Sequence, residues 1–193
     1  SAIVVGNPAT FTLEISGSDD AAISTFTCSD PQAVFVFPAG TGLGGNEAML
    51  GNGTHSFLLD TRVTGDLTVT VRVSDGSGHS VQRQCTVTSR YPKFSAMIRT
   101  MSSAALYSDS PMTLIIRSTE YAGDYTVSYT TTSTNCRVSY GGSMLRPDSP
   151  VTLEAGQHIF TANSSYAERT EFIFTITDIY GQSQQAQASI TWR

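Results

Sequence analysis

The sequence repeats itself at a constant displacement of 103 residues. The identical residues in the two copies are Pro8 and Pro111, Thr10 and Thr113, Gly53 and Gly156, His55 and His158, Phe57 and Phe160, Asp75 and Asp178, Gly78 and Gly181, Ser80 and Ser183, Thr88 and Thr191, and Arg90 and Arg193. One offset that holds from the start of the pattern to its end indicates a duplication, so each copy should be one folding unit. The repeat therefore predicts two domains, residues 1–90 and 91–193, each near the usual domain size.

Both copies have the hydrophobic pattern of β-strands. Residues 67–73 alternate Leu or Val with Thr or Arg, and residues 172–177 place Phe and Ile on one face in the same way. A period of two is typical of half-buried strands. Gly, Pro, Ser and Asn interrupt the chain at short intervals, and no window has a helical period. The pattern predicts an all-β protein made of two tandem immunoglobulin-like antiparallel β-sandwiches.

The alternation also predicts which side chains form the two cores. The expected core residues are Phe11, Leu13, Phe26, Phe57, Val69, Val71 and Val87 in the first domain, and Leu114, Ile116, Tyr129, Phe160, Phe174, Ile176 and Ile190 in the second.

Short loops rich in Asp and Gly mark the predicted hairpins. Residues 75–78 and 178–181 begin with Asp and end with Gly, and Gly141-Gly142 should close a two-residue hairpin. The segment 91–107 joins the copies, and alternation of Phe94, Ala96 and Ile98 predicts an opening strand for the second unit. Its counterpart at the 103-residue offset would fall before Ser1. Either the first unit opens differently or the chain is part of a longer array.

Charge and hydropathy argue against two classes of partner. The formal net charge of −5 provides no basic surface for a phosphate backbone, so no nucleic-acid partner is expected. No apolar stretch is long enough to span a bilayer, and no leader sequence is recognisable at Ser1. We expect an exported protein, periplasmic or at the cell surface, with any lipid anchor on a segment outside this chain.

The three cysteines, Cys28, Cys85 and Cys136, do not form a disulfide framework, because an odd number leaves one thiol free. Small buried thiols at Cys28 and Cys85 are favoured over a bridge between them. The predicted strand order places a strand between these two residues, which separates their backbones by about 9 to 10 Å, too far for a disulfide.

The histidines and aspartates are the candidate metal ligands, and neither group has a convincing ligand pattern. His55 and His158 each stand two residues before a Phe, which predicts a place at the core margin with a hydrogen bond to a loop. His79 has Gln182 as its counterpart, so the histidines do not converge as zinc requires. Asp19 and Asp20, with Asp75, could bind calcium between modules, but the second copy has Ala122 and Gly123 in place of the pair, which favours a solvated turn.

Motifs for cofactors and catalysis are also weak or missing. Residues 40–45 match the G-x-G-x-x-G pattern, but no helix follows that could bind a pyrophosphate, so a flexible connection is the expectation. The sequence contains no nucleophile elbow, no H-E-x-x-H and no phosphate-binding loop. We expect no catalytic residues, no cofactor and no metal, and the sequence identifies no ligand-binding residue.

Two N-glycosylation sequons and three tyrosines complete the candidates. Asn52 and Asn163 begin the sequons, although Asn52-Gly53 is first of all a turn sequence. Tyr121, Tyr125 and Tyr180 lie near predicted strand ends, where exposed rings could stack on glycans or on proteins.

The second copy resembles a known family. The segments that carry the resemblance are Gly123-Asp124-Tyr125-Thr126-Val127-Ser128-Tyr129, Leu145-Arg146-Pro147-Asp148 with Gly142, Phe160 to Ser165, and Phe174 to Gln182. Over about residues 111–193 the chain is similar to the TraQ-type conjugal transfer proteins of Bacteroidetes. The resemblance implies an exported, often lipid-anchored immunoglobulin-like sandwich linked to conjugative transposons, without a known catalytic site.

These observations lead to one expected function and one alternative. The expected function is a non-catalytic spacer or protein-binding module of a larger surface assembly, with conjugative transfer as the role implied by the resemblance. Its partners would be other proteins bound through loops or strand edges. The alternative is a glycan-binding accessory module that uses surface aromatic residues.

Overall fold

The computed structural model of the chain describes residues 2–17, 20–147 and 149–193, and these ranges contain β-strands and no helix. The chain divides into two compact units, Ser1–Pro92 (unit 1) and Lys93–Arg193 (unit 2). The all-β class predicted from the alternation is confirmed. Each unit has two sheets that enclose one apolar core, which is the arrangement of a β-sandwich.

Unit 1 has nine strands among its described residues. They are β1 (Ile3–Val4), β2 (Ala9–Ile15), β3 (Ala22–Cys28), β4 (Val34–Val36), β5 (Gly42–Gly44), β6 (Glu47–Leu50), β7 (Gly53–Asp60), β8 (Gly65–Ser74) and β9 (Ser80–Arg90). The larger sheet has the order β1-β9-β8-β3-β6-β5, and the smaller sheet has the order β2-β7-β4. β1 is parallel to β9, and the other pairs are antiparallel.

The described part of unit 2 has ten strands. They are β10 (Ser95–Thr100), β11 (Ser103–Ala104), β12 (Ser110–Arg117), β13 (Tyr125–Thr131), β14 (Cys136–Tyr140), β15 (Ser143–Leu145), β16 (Val151–Leu153), β17 (Gly156–Ser164), β18 (Arg169–Thr177) and β19 (Ser183–Trp192). One sheet has the order β11-β19-β18-β13-β16, and the other has the order β10-β12-β17-β14-β15.

The two units share one topology with two differences. β3 and β13 lie at the same positions once the 103-residue offset is applied, and the order β9-β8-β3-β6 matches the order β19-β18-β13-β16. The first difference is β10, which pairs with β12 and has no counterpart among the described strands of unit 1. The second is that β5 extends the larger sheet of unit 1 by pairing with β6, whereas β15 pairs with β14 in the opposite sheet of unit 2.

Aromatic rings fill the centre of both cores. Phe26 lies at the middle of unit 1, with its ring centroid 4.7 Å from that of Phe57 and 4.8 Å from that of Phe37. Phe160 and Phe174 make an edge-to-face contact in unit 2, at 5.0 Å. Such pairs stabilise a core beyond the area that they bury.

The predicted core residues of unit 2 are all buried, and those of unit 1 are buried only in part. Leu114, Ile116, Tyr129, Phe160, Phe174, Ile176 and Ile190 are buried in unit 2, as are Phe26, Phe57 and Val69 in unit 1. Phe11, Leu13, Val71 and Val87 pack against the core of unit 1 but stay partly exposed.

The predicted hairpins form at the expected residues. Tyr140 pairs with Ser143 across Gly141 and Gly142, whose φ angles of 58° and 80° are the left-handed values that a type I′ turn requires. β10 contains the Ala96 and Ile98 of the predicted opening strand, and Phe94 lies just before it.

Candidate interaction surfaces

The repeated aspartates hold the turns that join the last two strands of each unit. The Asp75 carboxylate accepts hydrogen bonds from the backbone N–H groups of Ser77 and His79, both at 2.9 Å. Asp178 accepts the same two bonds from the N–H groups of Tyr180 and Gln182, also at 2.9 Å. These contacts are Asx-turn bonds, so both carboxylates act on the backbone of their own turns.

Asp75 is also paired with the imidazole of His79. Its second oxygen lies 2.9 Å from His79 Nδ1. The side-chain hydrogen bond from His79 is the main cause that lowers the pKa of Asp75, followed by the backbone hydrogen bond from the same residue. Asp20 is exposed and Asp19 lies outside the described residues. Among the described residues no group of three or more His, Cys, Asp or Glu side chains converges as a metal site requires.

The paired histidines lie at the core margin and bond to loops, as their spacing predicts. His55 Nε2 donates to the Gly51 carbonyl at 2.8 Å, and His158 Nε2 donates to the Glu154 carbonyl at 2.8 Å. The two acceptors are themselves related by the 103-residue offset. His158 Nδ1 also accepts from the Tyr140 hydroxyl at 3.2 Å. Both nitrogens of His158 are therefore used within the fold.

The glycine-rich segment, for which a flexible connection is predicted, contains a hairpin. β5 pairs with β6, with Gly44 opposite Glu47 across Gly45 and Asn46, and the φ angles of Gly44 and Gly45 are 102° and 58°. The segment is followed by a strand, so no helix N-terminus is available for a pyrophosphate.

The cysteines occupy three different environments. β3 and β9 flank β8, and both Cys28 and Cys85 are paired with Val69, so the predicted strand order is confirmed and all three thiols are free. The expectation that Cys85 is buried is wrong, because Cys85 is exposed and Cys28 is half-buried. Cys136 is buried, and this burial raises the pKa of its thiol to about 11.

The three tyrosines singled out in the sequence pack against one another and do not form a flat exposed platform. Tyr121 contacts Tyr125 edge to face at 5.5 Å and Tyr180 at 6.0 Å. Tyr125 is fully buried, and burial raises the pKa values of both Tyr121 and Tyr125.

Two other tyrosines are exposed near each other in unit 2. Tyr107 is 74% exposed and Tyr166 is 60% exposed. The Tyr107 N–H donates to the Ser164 carbonyl at 2.9 Å, and the Tyr166 N–H donates to the Ser164 hydroxyl at 3.2 Å. Sequence periodicity missed this pair because both residues lie in loops, where alternation does not distinguish an exposed ring from a buried one.

Asn163 lies next to this pair, within β17. The second sequon therefore begins in a strand and not in a turn. The side-chain amide of Asn163 donates to the Asp109 carboxylate at 3.0 Å.

Unit 1 has an apolar patch on the outer face of its smaller sheet, formed by Val34, Val36 and Leu58. Val34 is 52% exposed, Val36 is 51% exposed and Leu58 is 36% exposed. Val36 and Leu58 are direct cross-strand partners, whereas Phe35 between the valines points into the core. We call this surface the β4 patch.

Unit 2 has polar residues at the positions of the β4 patch. The counterparts of Val34, Val36 and Leu58 at the 103-residue offset are Arg137, Ser139 and Thr161. β15 also covers the edge of β14, whereas β4 is an edge strand with no neighbour among the described strands on its outer side. A sheet edge combined with exposed apolar side chains is a surface that other polypeptides can pair with.

A buried carboxylate that the sequence did not reveal lies in unit 1. Asp30 is buried, and its oxygens accept hydrogen bonds from the Gln32 N–H at 2.9 Å, the Thr61 hydroxyl at 2.8 Å and the Arg62 N–H at 3.1 Å. Burial alone raises the pKa of Asp30, but these hydrogen bonds outweigh it and hold the pKa below its ordinary value. Asp30 ties the loop after β3 to the end of β7, which is a structural role.

The described residues include no helix long and apolar enough to cross a membrane.

Comparisons with known proteins give structural similarities only. No protein family matches the chain, and no curated protein matches it. A conjugative transposon lipoprotein from Bacteroides eggerthii is 15% identical, with a TM-score of 0.46, over 52% of this chain and 98% of its own. A lipoprotein from Bacteroides thetaiotaomicron is 14% identical, with a TM-score of 0.47, over 53% of this chain and 82% of its own.

Salmonella alpha-2-macroglobulin is similar over the whole of this chain, but the match spans only 16% of that protein, at 13% identity and a TM-score of 0.36. With TM-scores below 0.5, none of these three similarities carries a functional argument.

Proposed function

We propose that the chain is a non-catalytic tandem of immunoglobulin-like domains, residues 1–90 and 91–193, that binds another protein in an exported or cell-surface assembly. The β4 patch is the observation that carries the proposal. Three aliphatic side chains lie exposed there, although the same positions in unit 2 are polar. Because the fold tolerates polar residues at these positions, folding alone does not require the apolar ones, and binding accounts for them.

The polar groups of the chain support the non-catalytic part of the proposal. His55, His158, Asp75, Asp178 and Asp30 each accept or donate hydrogen bonds that hold a turn or loop. A catalytic group must be free to exchange a proton or an electron pair with a substrate, and these groups are used by the backbone around them.

Conjugative transfer is the assembly in which we would look for the partner. This part of the proposal comes from the resemblance of residues 111–193 to TraQ-type proteins. Deletion of the coding region in the source cell should lower the transfer frequency of the resident conjugative element, and restoring it in trans should restore transfer. Unchanged transfer would remove this role and leave the proposed protein-binding module untouched.

The binding test replaces the β4 patch with its counterparts from unit 2. The variant Val34→Arg, Val36→Ser, Leu58→Thr should keep the fold, since unit 2 folds with these residues. A pull-down from the envelope of the source cell should recover protein neighbours with the wild-type chain and lose them with the variant. Ile159→Ser is the control, because Ile159 is an aliphatic residue of unit 2 that is 62% exposed. Equal recovery by wild type and the triple variant would contradict the proposal.

Glycan binding is the second candidate function, and the exposed pair Tyr107 and Tyr166 is the observation that favours it. The two tyrosines are 74% and 60% exposed, and the backbone N–H groups of both donate to Ser164, so both rings are available to stack on a sugar. A glycan array separates the two functions. We expect no binding on the array, and reproducible glycan binding that is lost in Tyr107→Ala and Tyr166→Ala would establish the second function instead.

A further inference from the structure

Asn52 and Gly53 lie where the chain passes from β6 into β7. Asn52 is exposed and outside the strands, and Gly53 is the first residue of β7. Gly53 has a φ of 131°, a value that glycine adopts and other residues rarely do. Apart from its chain neighbours, no atom lies within 4 Å of the place where a Cβ would be attached to Gly53. The side-chain amide of Asn52 and the nitrogen of Gly53 are therefore adjacent in an open part of the surface.

An asparagine that precedes a glycine can react with its own main chain. The Gly53 nitrogen gives up its proton and attacks Cγ of Asn52, which closes a succinimide ring, and the side-chain nitrogen of Asn52 leaves as ammonia with that proton. Water then opens the ring. Cleavage of the bond between the Gly53 nitrogen and Cγ gives aspartate, and cleavage of the bond to the main-chain carbonyl carbon gives isoaspartate. The reaction consumes one water and releases one ammonia, and it needs no oxidant.

Each of the other four asparagines is followed by a residue with a side chain. They are Asn7 before Pro8, Asn46 before Glu47, Asn135 before Cys136 and Asn163 before Ser164. A side chain on the following residue hinders the attack of its nitrogen on Cγ, and a proline nitrogen has no proton to lose. Asn163 is further restrained within β17, because its side-chain amide donates to the Asp109 carboxylate at 3.0 Å. The reaction should therefore be fastest at Asn52.

Asp75-Gly76 is the other pair at which a succinimide could form, and the fold protects it. An aspartate reacts in this way as the neutral acid, because an ionised carboxylate is a poor electrophile. The Asp75 carboxylate accepts hydrogen bonds from the N–H groups of Ser77 and His79, and its second oxygen lies 2.9 Å from His79 Nδ1. The side-chain hydrogen bond from His79 is the largest of the effects that hold the pKa of Asp75 below its ordinary value. Asp75 is therefore ionised and held in place, whereas the neutral amide of Asn52 stays reactive.

We propose that Asn52 is a site of spontaneous deamidation, which converts its neutral amide into the carboxylate of aspartate or isoaspartate. The counterpart of Asn52 in unit 2 is Ala155, so unit 1 has a modification site that unit 2 lacks. Isoaspartate adds one methylene to the main chain between residues 52 and 53. That insertion lies directly before the pair of Ile15 with Gly53 at the end of the ladder between β2 and β7, so this end of the ladder should open. The inference goes beyond the proposed function and does not depend on it.

Peptide mapping of the aged full-length chain by mass spectrometry tests the proposal. The protein is incubated at mildly alkaline pH, where the amide nitrogen loses its proton more readily, in water enriched in the heavy isotope of oxygen. The fragment with Asn52 should gain mass before the fragments with Asn135 and Asn163, and the gain should include one heavy oxygen. Cleavage after Glu47 separates Asn52 from Asn46. An isoaspartyl methyltransferase should methylate the same fragment.

Asn52→Ala is the matched control, because it places the residue of unit 2 at the equivalent position of unit 1. It should abolish both the mass gain and the methylation. Asn52→Asp has the new charge without the added methylene. Amide hydrogen exchange of residues 13–15 should be faster in the aged wild type than in the fresh protein, less so in Asn52→Asp, and unchanged in aged Asn52→Ala. The equivalent residues 116–118 of unit 2 should not change.

Three results would overturn the inference. The first is that the folded chain gains no mass at Asn52 under conditions in which the chain unfolded in urea does, because the fold then protects the Gly53 nitrogen. The second is that Asn46, Asn135 or Asn163 reacts before Asn52. The third is a mass gain without isoaspartate, since direct hydrolysis of the side chain gives aspartate alone. None of these results bears on the β4 patch experiment, so the inference and the proposed function fail separately.

Discussion

At the scale of single residues, the repeat preserves the hydrogen bonds that shape loops even where the residue type changes. Asp30 has Ser133 as its counterpart, and the N–H of Gln32 donates to Asp30 as the N–H of Asn135 donates to Ser133, at 2.9 and 3.1 Å. Ser133 in turn donates to Glu168. Both positions accept from the backbone two residues later, which is the local bonding that short polar side chains favour.

The first prediction concerns Asp30→Asn. The substitution replaces one carboxylate oxygen by an amide nitrogen, which can only donate. At least one buried donor then lacks an acceptor, so the free energy of unfolding should fall by about 1 to 3 kcal/mol. The pKa of Asp30 lies below its ordinary value in the fold, so its contribution is present above the unfolded-state pKa of about 3.9 and is lost as the pH falls through the folded value.

Urea unfolding followed by circular dichroism checks this prediction. The difference between wild type and Asp30→Asn should be largest near pH 6 and should shrink below about pH 4. Asp66→Asn, at an exposed carboxylate of the same unit, should change stability by less than about 0.5 kcal/mol. A difference that grows as the pH falls would show that the sign of the argument is wrong.

At the scale of strands, equivalent inward positions are buried to different extents in the two units. β10 lies beside β12 in unit 2, and no described strand lies beside β2 in the same way. Ile116 on β12 is 1% exposed and lies opposite Ala96 of β10, whereas its counterpart Leu13 on β2 is only partly buried. Burial depends on the neighbouring strand as well as on the alternation of the strand itself.

The second prediction compares these two positions. Ile116→Ala should lower the free energy of unfolding by about 2 to 5 kcal/mol, because it leaves a cavity in a closed core. Leu13→Ala removes a side chain of similar size but should cost less, about 1 to 2 kcal/mol, because part of that side chain already contacts water. Equal losses in chemical denaturation would contradict the difference in burial between the two side chains.

At the scale of the whole molecule, the two units have separate cores. The buried apolar residues form one cluster within Ser1–Pro92 and another within Lys93–Arg193. A separate core is the physical condition for a part of a chain to fold alone.

The third prediction is therefore that residues 1–92 and residues 93–193, expressed separately, each fold cooperatively. The second fragment should unfold at the higher denaturant concentration, because its core is closed by β10. Dispersed amide resonances and a single unfolding transition check the prediction for each fragment. A first fragment that gains dispersion only in the presence of the second would contradict it.

The strands, their faces and the hairpins between them are predictable from the amino-acid sequence alone. The constant offset identified equivalent strands, the period of two identified the inward residues of β8 and β18, and Asp and Gly at fixed places identified the hairpins. These features depend on neighbouring residues along the chain, so a single sequence contains them.

Which of those strand faces are covered depends on contacts between distant parts of the chain. The alternation at Val81, Cys85 and Val87 predicts an inward face for β9, but Val81 and Cys85 are exposed, and no described strand of unit 1 lies where β10 lies in unit 2. Whether β5 and β15 join one sheet or the other is likewise settled by pairing between distant segments. Such pairing depends on the competition of several strands for the same edge, and local alternation is equally compatible with each outcome.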